Sequence, residues 1–220
     1  MYVHVNAAMS ADGKLSSRRR EQIAISGPSD FDRVDRIRAD SDAVMVGIGT
    51  VLADDPRLGL ESASRVEERR AAGMAGHPAR VVADSEARTP PDAAILDDTA
   101  ATYILVSELA PAERRQALRE AGAELLVTGD ERVALPEALA GLETEGMDRL
   151  MVEGGGELLF SLFDAGLVDH LTVYVGSMLL GGREAPTLID GEGWTADFPQ
   201  LSLEAVDRLD DGVVLTYDPA

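Results

Sequence analysis

Hydrophobic positions along this chain switch between spacings that suit strands and spacings that suit helices. Residues 3–9 read as an opening strand, closed by Ser10-Ala11-Asp12-Gly13, whose residue types favour a turn. Ser29 is placed to cap a helix running to about residue 39, with Phe31, Val34 and Ile37 spaced to share one face. Ala43–Gly47 is a short apolar strand, and Gly49-Thr50-Val51-Leu52 begins a turn or short helix that Pro56 ends. Residues 61–72 are charged with few apolar anchors, and read as a solvated helix or an excursion loop.

Further on, strands are expected at 80–84, 102–107, 123–128 and 149–153, and helices at 111–121, 135–145 and 157–165. Leu158, Leu159, Leu162 and Phe163 fall on the core side of the last helix. Segments 170–179 and Leu201–Leu209 precede a final strand at 213–217, which Asp210-Asp211-Gly212 joins as a hairpin. Strands alternating with helices imply an α/β fold with a mainly parallel sheet, to which the closing hairpin adds antiparallel strands. No linker, repeat or low-complexity segment interrupts the 220 residues, so a single domain over 1–220 is expected.

Charge narrows the possible partners. With 20 Lys+Arg against 40 Asp+Glu the net charge is −20, which repels nucleic acid and anionic membranes. An anionic small substrate must then be captured by a local cationic or backbone-amide site. Lys14 is the sole lysine, every other basic residue except histidine being arginine. Acid-rich, lysine-poor surfaces suit a salty cytoplasm, where the Debye length falls to about 3 Å at molar ionic strength and self-repulsion is screened. A halophilic, cytoplasmic protein is expected. No cysteine is present, which excludes disulfides, thiolate nucleophiles and Cys-ligated zinc. His4, His77 and His170 show no metal-ligand spacing, so no metal site is expected. No signal peptide and no membrane-spanning apolar stretch are expected either.

Candidate chemistry gathers at a few turns. Gly154-Gly155-Gly156, between a strand and a helix, lets backbone amides approach a phosphate or lets the two elements pack closely; the residues leave both readings open. It matches neither GxGxxG nor a P-loop. Glu153 could accept hydrogen bonds from a heterocycle or from backbone amides. Lys14, after Asp12-Gly13, offers a compact ammonium to a phosphate or sits in water. Thr50, Asp54, Asp55 and Arg57 follow a buried strand, at the end of the sheet where α/β proteins bind ligands. Trp194 reads as a packing residue. Serine-hydrolase chemistry is excluded by the lack of a GxSxG elbow. Binding of an anionic cofactor and an anionic substrate is indicated, but no particular reaction.

Four blocks taken together resemble the riboflavin-pathway reductases, in particular their stand-alone archaeal and fungal branch. They are Val5-Asn6-Ala7-Ala8-Met9-Ser10-Ala11-Asp12-Gly13-Lys14; residues 37–58, centred on Gly47-Ile48-Gly49-Thr50-Val51-Leu52-Ala53-Asp54-Asp55-Pro56-Arg57-Leu58; Val152-Glu153-Gly154-Gly155-Gly156; and Leu180-Gly181-Gly182-Arg183-Glu184-Ala185-Pro186. The similarity extends over nearly the whole chain. It implies a dihydrofolate-reductase-like three-layer α/β sandwich, a homodimer, and NADPH-dependent reduction of a phosphorylated ribosylamino pyrimidine to its ribitylamino product. The resemblance places the cofactor at Thr50, Asp54, Ala83, Asp84, Ser85, Glu86, Gly155, Gly156 and Glu157. It places the substrate at Asn6, Asp12, Arg38, Arg57 and Leu58, with Lys14 and Glu153 as the catalytic pair. One departure concerns cofactor choice: Glu86 stands where relatives often carry a basic residue, and would repel the 2′-phosphate of NADPH. Ser85 with Arg88 or Arg80 is left to offset it, and NADH is the alternative.

Overall fold

The β-branched and apolar runs form strands close to where their spacing puts them. The structure, a computed structural model, describes residues 1–21 and 23–220. In chain order the elements are β1 (Tyr2–Ser10), α1 (Pro28–Ala39), β2 (Ala43–Gly47), α2 (Ile48–Asp54), α3 (Ala63–Ala71), β3 (Ala79–Ala83), a single 3₁₀ turn (Ala94–Leu96), β4 (Thr102–Val106), α4 (Ala112–Glu120), β5 (Glu124–Val127), α5 (Leu135–Thr144), β6 (Arg149–Gly154), α6 (Gly156–Asp164), β7 (His170–Gly176), β8 (Leu201–Leu209) and β9 (Gly212–Pro219). They group into two compact units, one of Met1 with Asp35–Met151, the other of Tyr2–Val34 with Val152–Ala220.

In the first unit the strands lie in the order β5-β4-β3-β2, every neighbouring pair parallel. Both β2 and β4 are buried at every position, which explains their unbroken apolar sequences. Helix α2 packs against β2 and β3, while α4 and α5 pack against β5. In the second unit the order is β1-β7-β9-β8: β1 and β7 are parallel, and β9 pairs antiparallel with β7 and β8. Helix α6 turns Leu158, Leu159, Leu162 and Phe163 inward, as its spacing implies. The expected α/β class, with parallel strands and a closing antiparallel hairpin, is the one observed.

Three local expectations are corrected. Helix α1 is capped by the β8–β9 hairpin: Ser29 and Asp30 donate their backbone N–H groups to the Asp210 carboxylate at 3.4 and 3.1 Å. A Cβ on Gly27 would lie 2.7 Å from Asp210 Cγ, so only glycine admits this cap. Phe31 is 56% exposed, because the inner side of α1 carries the buried acids Asp30 and Asp35 instead. Residues 61–72 contain a packed helix, α3, which buries Val66 and Arg69. Arg69 Nη1 donates to the carbonyls of Ala39 and Ser41 at 2.6 and 2.8 Å, satisfying the acceptors left open where α1 ends.

Candidate active site

In the first unit the predicted cofactor residues share the carboxyl edge of two neighbouring parallel strands. Gly47, the last residue of β2, is in register with Ala83, the last of β3. Helix α2 starts immediately after β2 and carries Thr50, half-buried, and Asp54. Asp54 is exposed, yet the protein atoms around its carboxyl displace part of its water and push it up from the ordinary range. Beyond β3, Asp84 is fully buried and turns its carboxylate inward, accepting from Thr89 N and Oγ1 at 2.7 and 2.8 Å. Its side chain therefore shapes the loop, in which Ser85 is half-buried and Glu86 exposed. Ser85 Oγ accepts from Val133 N at 3.1 Å, which leaves its own proton to donate.

Arg80 is not free to meet a 2′-phosphate. It is wholly buried, donating to Ile95 O, Asp97 O and Asp97 Oδ1 at 2.8, 3.0 and 2.7 Å, and to Thr99 Oγ1. Arg88 remains beside Glu86 at 4.0 Å, and Arg114 donates to the Glu86 carbonyl at 3.3 Å.

The turn after α2 is held in an uncommon conformation. Asp55 and Leu58 have φ of 42° and 51°, and Ala87 in the neighbouring loop has 52°. Such strain persists only where neighbours fix the backbone. Asp55 Oδ1 accepts from Ala94 N at 2.7 Å, Leu58 is 5% exposed, and Arg38 Nη1 donates to Gly59 O at 2.9 Å. Arg57 is exposed and pairs with Asp97 Oδ2 at 2.9 Å, the carboxylate whose other oxygen holds Arg80.

In the second unit Lys14 and Asp12 grip the same returning segment. Lys14 Nζ donates to Ala185 O at 3.2 Å, and its backbone forms an isolated antiparallel bridge with Thr187. Asp12 accepts from Ser10 Oγ at 2.6 Å and from the N–H groups of Leu180 and Gly181 at 3.0 and 2.7 Å. The Ser10 bond, then the two amide bonds, hold its carboxyl down at about 2. Asp12 is thus a fixed anion that anchors a loop, unsuited to donating a proton near neutrality.

That segment continues to the glycines. Thr187 donates N–H and Oγ1–H to Asp190 Oδ1 at 3.2 and 2.6 Å, and Asp190 N donates to Gly156 O at 3.1 Å. A Cβ on Gly156 would lie 2.5 Å from Asp190 Oδ2. Close packing therefore accounts for Gly156, while Gly155, at φ 103°, and the exposed Glu157 open the helix. Glu153 is half-buried at the end of β6. Asn6 is 5% exposed, its Oδ1 accepting from Arg33 and Thr172. Thr187, Asp190, Arg33 and Thr172 were not singled out from sequence; only Pro186, next to Thr187, ended a recognised block.

Trp194 is half-buried and outside the core. It lies against Phe160 with ring centroids 4.7 Å apart, donates to Asp164 Oδ1 at 2.9 Å, and lines a surface cavity of about 560 Å³ that none of the predicted site residues borders.

Two adjoining parallel strand ends, with the Thr50 hydroxyl and the start of α2 beside them, form the kind of sheet edge at which α/β enzymes bind their ligands. The fold is shared with a pyrimidine reductase-like protein from Corynebacterium diphtheriae at a TM-score of 0.85, with 18% identity, covering 100% of this chain and 92% of that one. The chain belongs to the family described as the RibD C-terminal domain, which matches residues 1–215. It is 46% identical over 215 residues to the 2,5-diamino-6-ribosylamino-4(3H)-pyrimidinone 5′-phosphate reductase of Archaeoglobus fulgidus, covering 98% of this chain and 96% of that protein. Acinetobacter baumannii RibD is 27% identical with a TM-score of 0.79, and this chain spans 58% of its length.

Proposed function

We propose that this chain is an NADPH-dependent reductase that converts 2,5-diamino-6-ribosylamino-4(3H)-pyrimidinone 5′-phosphate to its ribitylamino product in riboflavin biosynthesis. The observation that carries this reading is the 46% identity, over nearly the full length of both chains, to a reductase of that name. The four sequence blocks that imply the same substrate all lie within the family match over residues 1–215.

The residues fit a nicotinamide dinucleotide. Thr50, Asp54, Ser85 and the 83–86 backbone would hold it at the edge of β2 and β3, and the sequence resemblance also assigns Gly155, Gly156 and Glu157 to it. When bound, the reduced nicotinamide supplies a hydride, and the atom that accepts it is C1′ of the ring-opened imine. This chain's residues contribute alignment, which can be worth several kcal/mol on the order of magnitude set by effective molarities. Lys14 spends one of its three ammonium protons on Ala185 O, leaving two for the substrate phosphate. The sequence resemblance also assigns Arg57 to the substrate, and its pairing with Asp97 leaves guanidinium protons to donate. Glu153 offers acceptor oxygens to the amino groups of the pyrimidine.

Glu86 disfavours a 2′-phosphate, Arg88 and Arg114 compensate beside it, and NADH is used in addition to NADPH. One domain over 1–220 carries the activity. It functions as a homodimer, supported by Leu203 and Val206, 55% and 58% exposed on the outermost strand β8. The −20 charge supports a halophilic cytoplasmic setting, and no described helix is long and apolar enough to cross a membrane.

The reading is tested by incubating the substrate with nicotinamide deuterated at C4 and locating the label. Deuterium at C1′ of the product is expected. Tight dinucleotide binding with no labelled product from any ribosylamino pyrimidine phosphate would reduce the chain to a nucleotide-binding module. Replacing Lys14 with alanine should raise KM for the phosphorylated substrate and spare dinucleotide binding; an unchanged KM removes Lys14 from the phosphate site.

A further inference from the structure

Beneath α1, in the second unit, a buried polar chain surrounds Asn6. Arg33 Nη2 donates to Asn6 Oδ1 at 2.9 Å, and Thr172 Oγ1 donates to the same oxygen at 2.8 Å. Arg33 is fixed in turn by Asp30, which is 1% exposed and accepts from Nε at 2.8 Å and Nη2 at 2.7 Å. Arg33 Nη1 also reaches Thr172 Oγ1 at 3.4 Å, and His4 Nε2 lies 2.9 Å from that hydroxyl.

The donor and acceptor roles in this chain follow from chemistry. A guanidinium only donates, so the Asn6 atom facing it is the carbonyl oxygen, which settles the orientation of the amide. Thr172 has one proton and gives it to Asn6, so the His4 Nε2 partner of its hydroxyl must be the N–H. With Oδ1 saturated by two donors, the amide nitrogen Nδ2 points the other way. It has no acceptor among the described residues, yet it is not among the buried polar atoms that lack a partner, so it keeps contact with solvent. A side chain that is 5% exposed thus directs its open surface through two N–H bonds.

We propose that Arg33 is a positioning residue. By pinning Asn6 Oδ1, it presents the Asn6 NH₂ group as a donor to an acceptor oxygen of the bound pyrimidinone sugar phosphate. The proposal rests on the reading above in placing the substrate at Asn6. Its distinct content is that Arg33, reaching the reaction only through Asn6, sets substrate affinity. Without Arg33 only the Thr172 hydroxyl holds the carbonyl, and because that hydroxyl can turn to accept instead, the amide can rotate by half a turn and offer its oxygen, which repels the same acceptor.

A mutant cycle tests it on the full-length protein. Asn6→Asp keeps an oxygen for Arg33 and Thr172 but deletes the NH₂ group. It should raise KM for the pyrimidine substrate about tenfold, the loss of one hydrogen bond, and leave KM for the dinucleotide unchanged. Arg33→Lys, which keeps the charge opposite Asp30 but not the fork, should raise the same KM, and the double variant should be no worse than Asn6→Asp alone. Effects of the two substitutions that multiply would overturn the proposal, as would equal rises in both KM values. The side-chain amide resonances of Asn6, assigned by their loss in Asn6→Asp, give an answer independent of turnover. They should shift or broaden in Arg33→Lys, and unmoved resonances would show that Arg33 does not hold the amide. If the wild-type protein reduces no ribosylamino pyrimidine phosphate, the proposed function fails while this spectroscopic result still decides the positioning.

Discussion

Gly156→Ala separates the two uses that a glycine at the start of α6 can have. The added Cβ would sit 2.5, 2.8 and 2.9 Å from Oδ2, Cγ and Cβ of Asp190. Asp190 cannot simply swing aside, because Thr187 holds Oδ1 through two bonds and its own N–H is bound to Gly156 O at 3.1 Å. Displacing it forfeits two or three hydrogen bonds at about 0.5–1.5 kcal/mol each, offset by up to about 1 kcal/mol for alanine over glycine in a helix. The expected net loss is about 1–3 kcal/mol, equivalent to roughly 2–10 °C in Tm for a chain of this size. Thermal unfolding should show that loss, and Asp190→Ala should abolish it: in that background Gly156→Ala becomes neutral or stabilising. A Gly156→Ala protein that melts at or above the wild-type temperature, with Asp190 intact, would refute the packing argument.

Other substitutions probe the supports of the first and second units. Arg80→Met removes a fully buried guanidinium from Asp97 and two carbonyls and should cost about 3–5 kcal/mol, read from the denaturant midpoint. Asp210→Ala uncaps α1 and should cost about 1 kcal/mol, although it lies 181 positions from Ser29. The carboxyl of Asp12 is lowered from 3.8 to about 2, so the stability it supplies is complete above 3.8 and is lost as pH falls through about 2. Asp12→Asn should therefore flatten the acid limb of a Tm against pH curve in that window. At a net charge of −20, Tm should rise as potassium chloride is added, and an unchanged Tm would contradict the halophilic reading.

The strands were legible wherever burial on both faces makes the sequence continuously apolar. Ala43–Gly47 and Leu201–Leu209 fall at their expected bounds, the second because Asp210-Asp211-Gly212 marks the turn that ends it. Helix α1 was less legible because its cap comes from the far end of the chain, so the nearby Ser29 drew the assignment by its type alone. Phe31 misled for a related reason: the inner side of α1 is an ionic network, and a hydrophobic spacing rule has no access to the partners that make Asp30 and Arg33 tolerable there. Arg69 in α3 looked like one more solvated charge, and only its three carbonyl acceptors explain its burial. The site followed the same division. Residue type and spacing drew attention to Lys14, Thr50 and the glycines as candidates, but Thr187 and Asp190, which pack against the Lys14 backbone and Gly156, are joined to them only by the fold.

The most direct measurement follows nicotinamide absorbance in high potassium chloride, with NADPH and NADH offered in parallel to the 2,5-diamino ribosylamino pyrimidinone phosphate and to its deaminated counterpart. Oxidation with the diamino compound is expected, by NADPH and more weakly by NADH. Folded protein that oxidises neither dinucleotide with either substrate would contradict it.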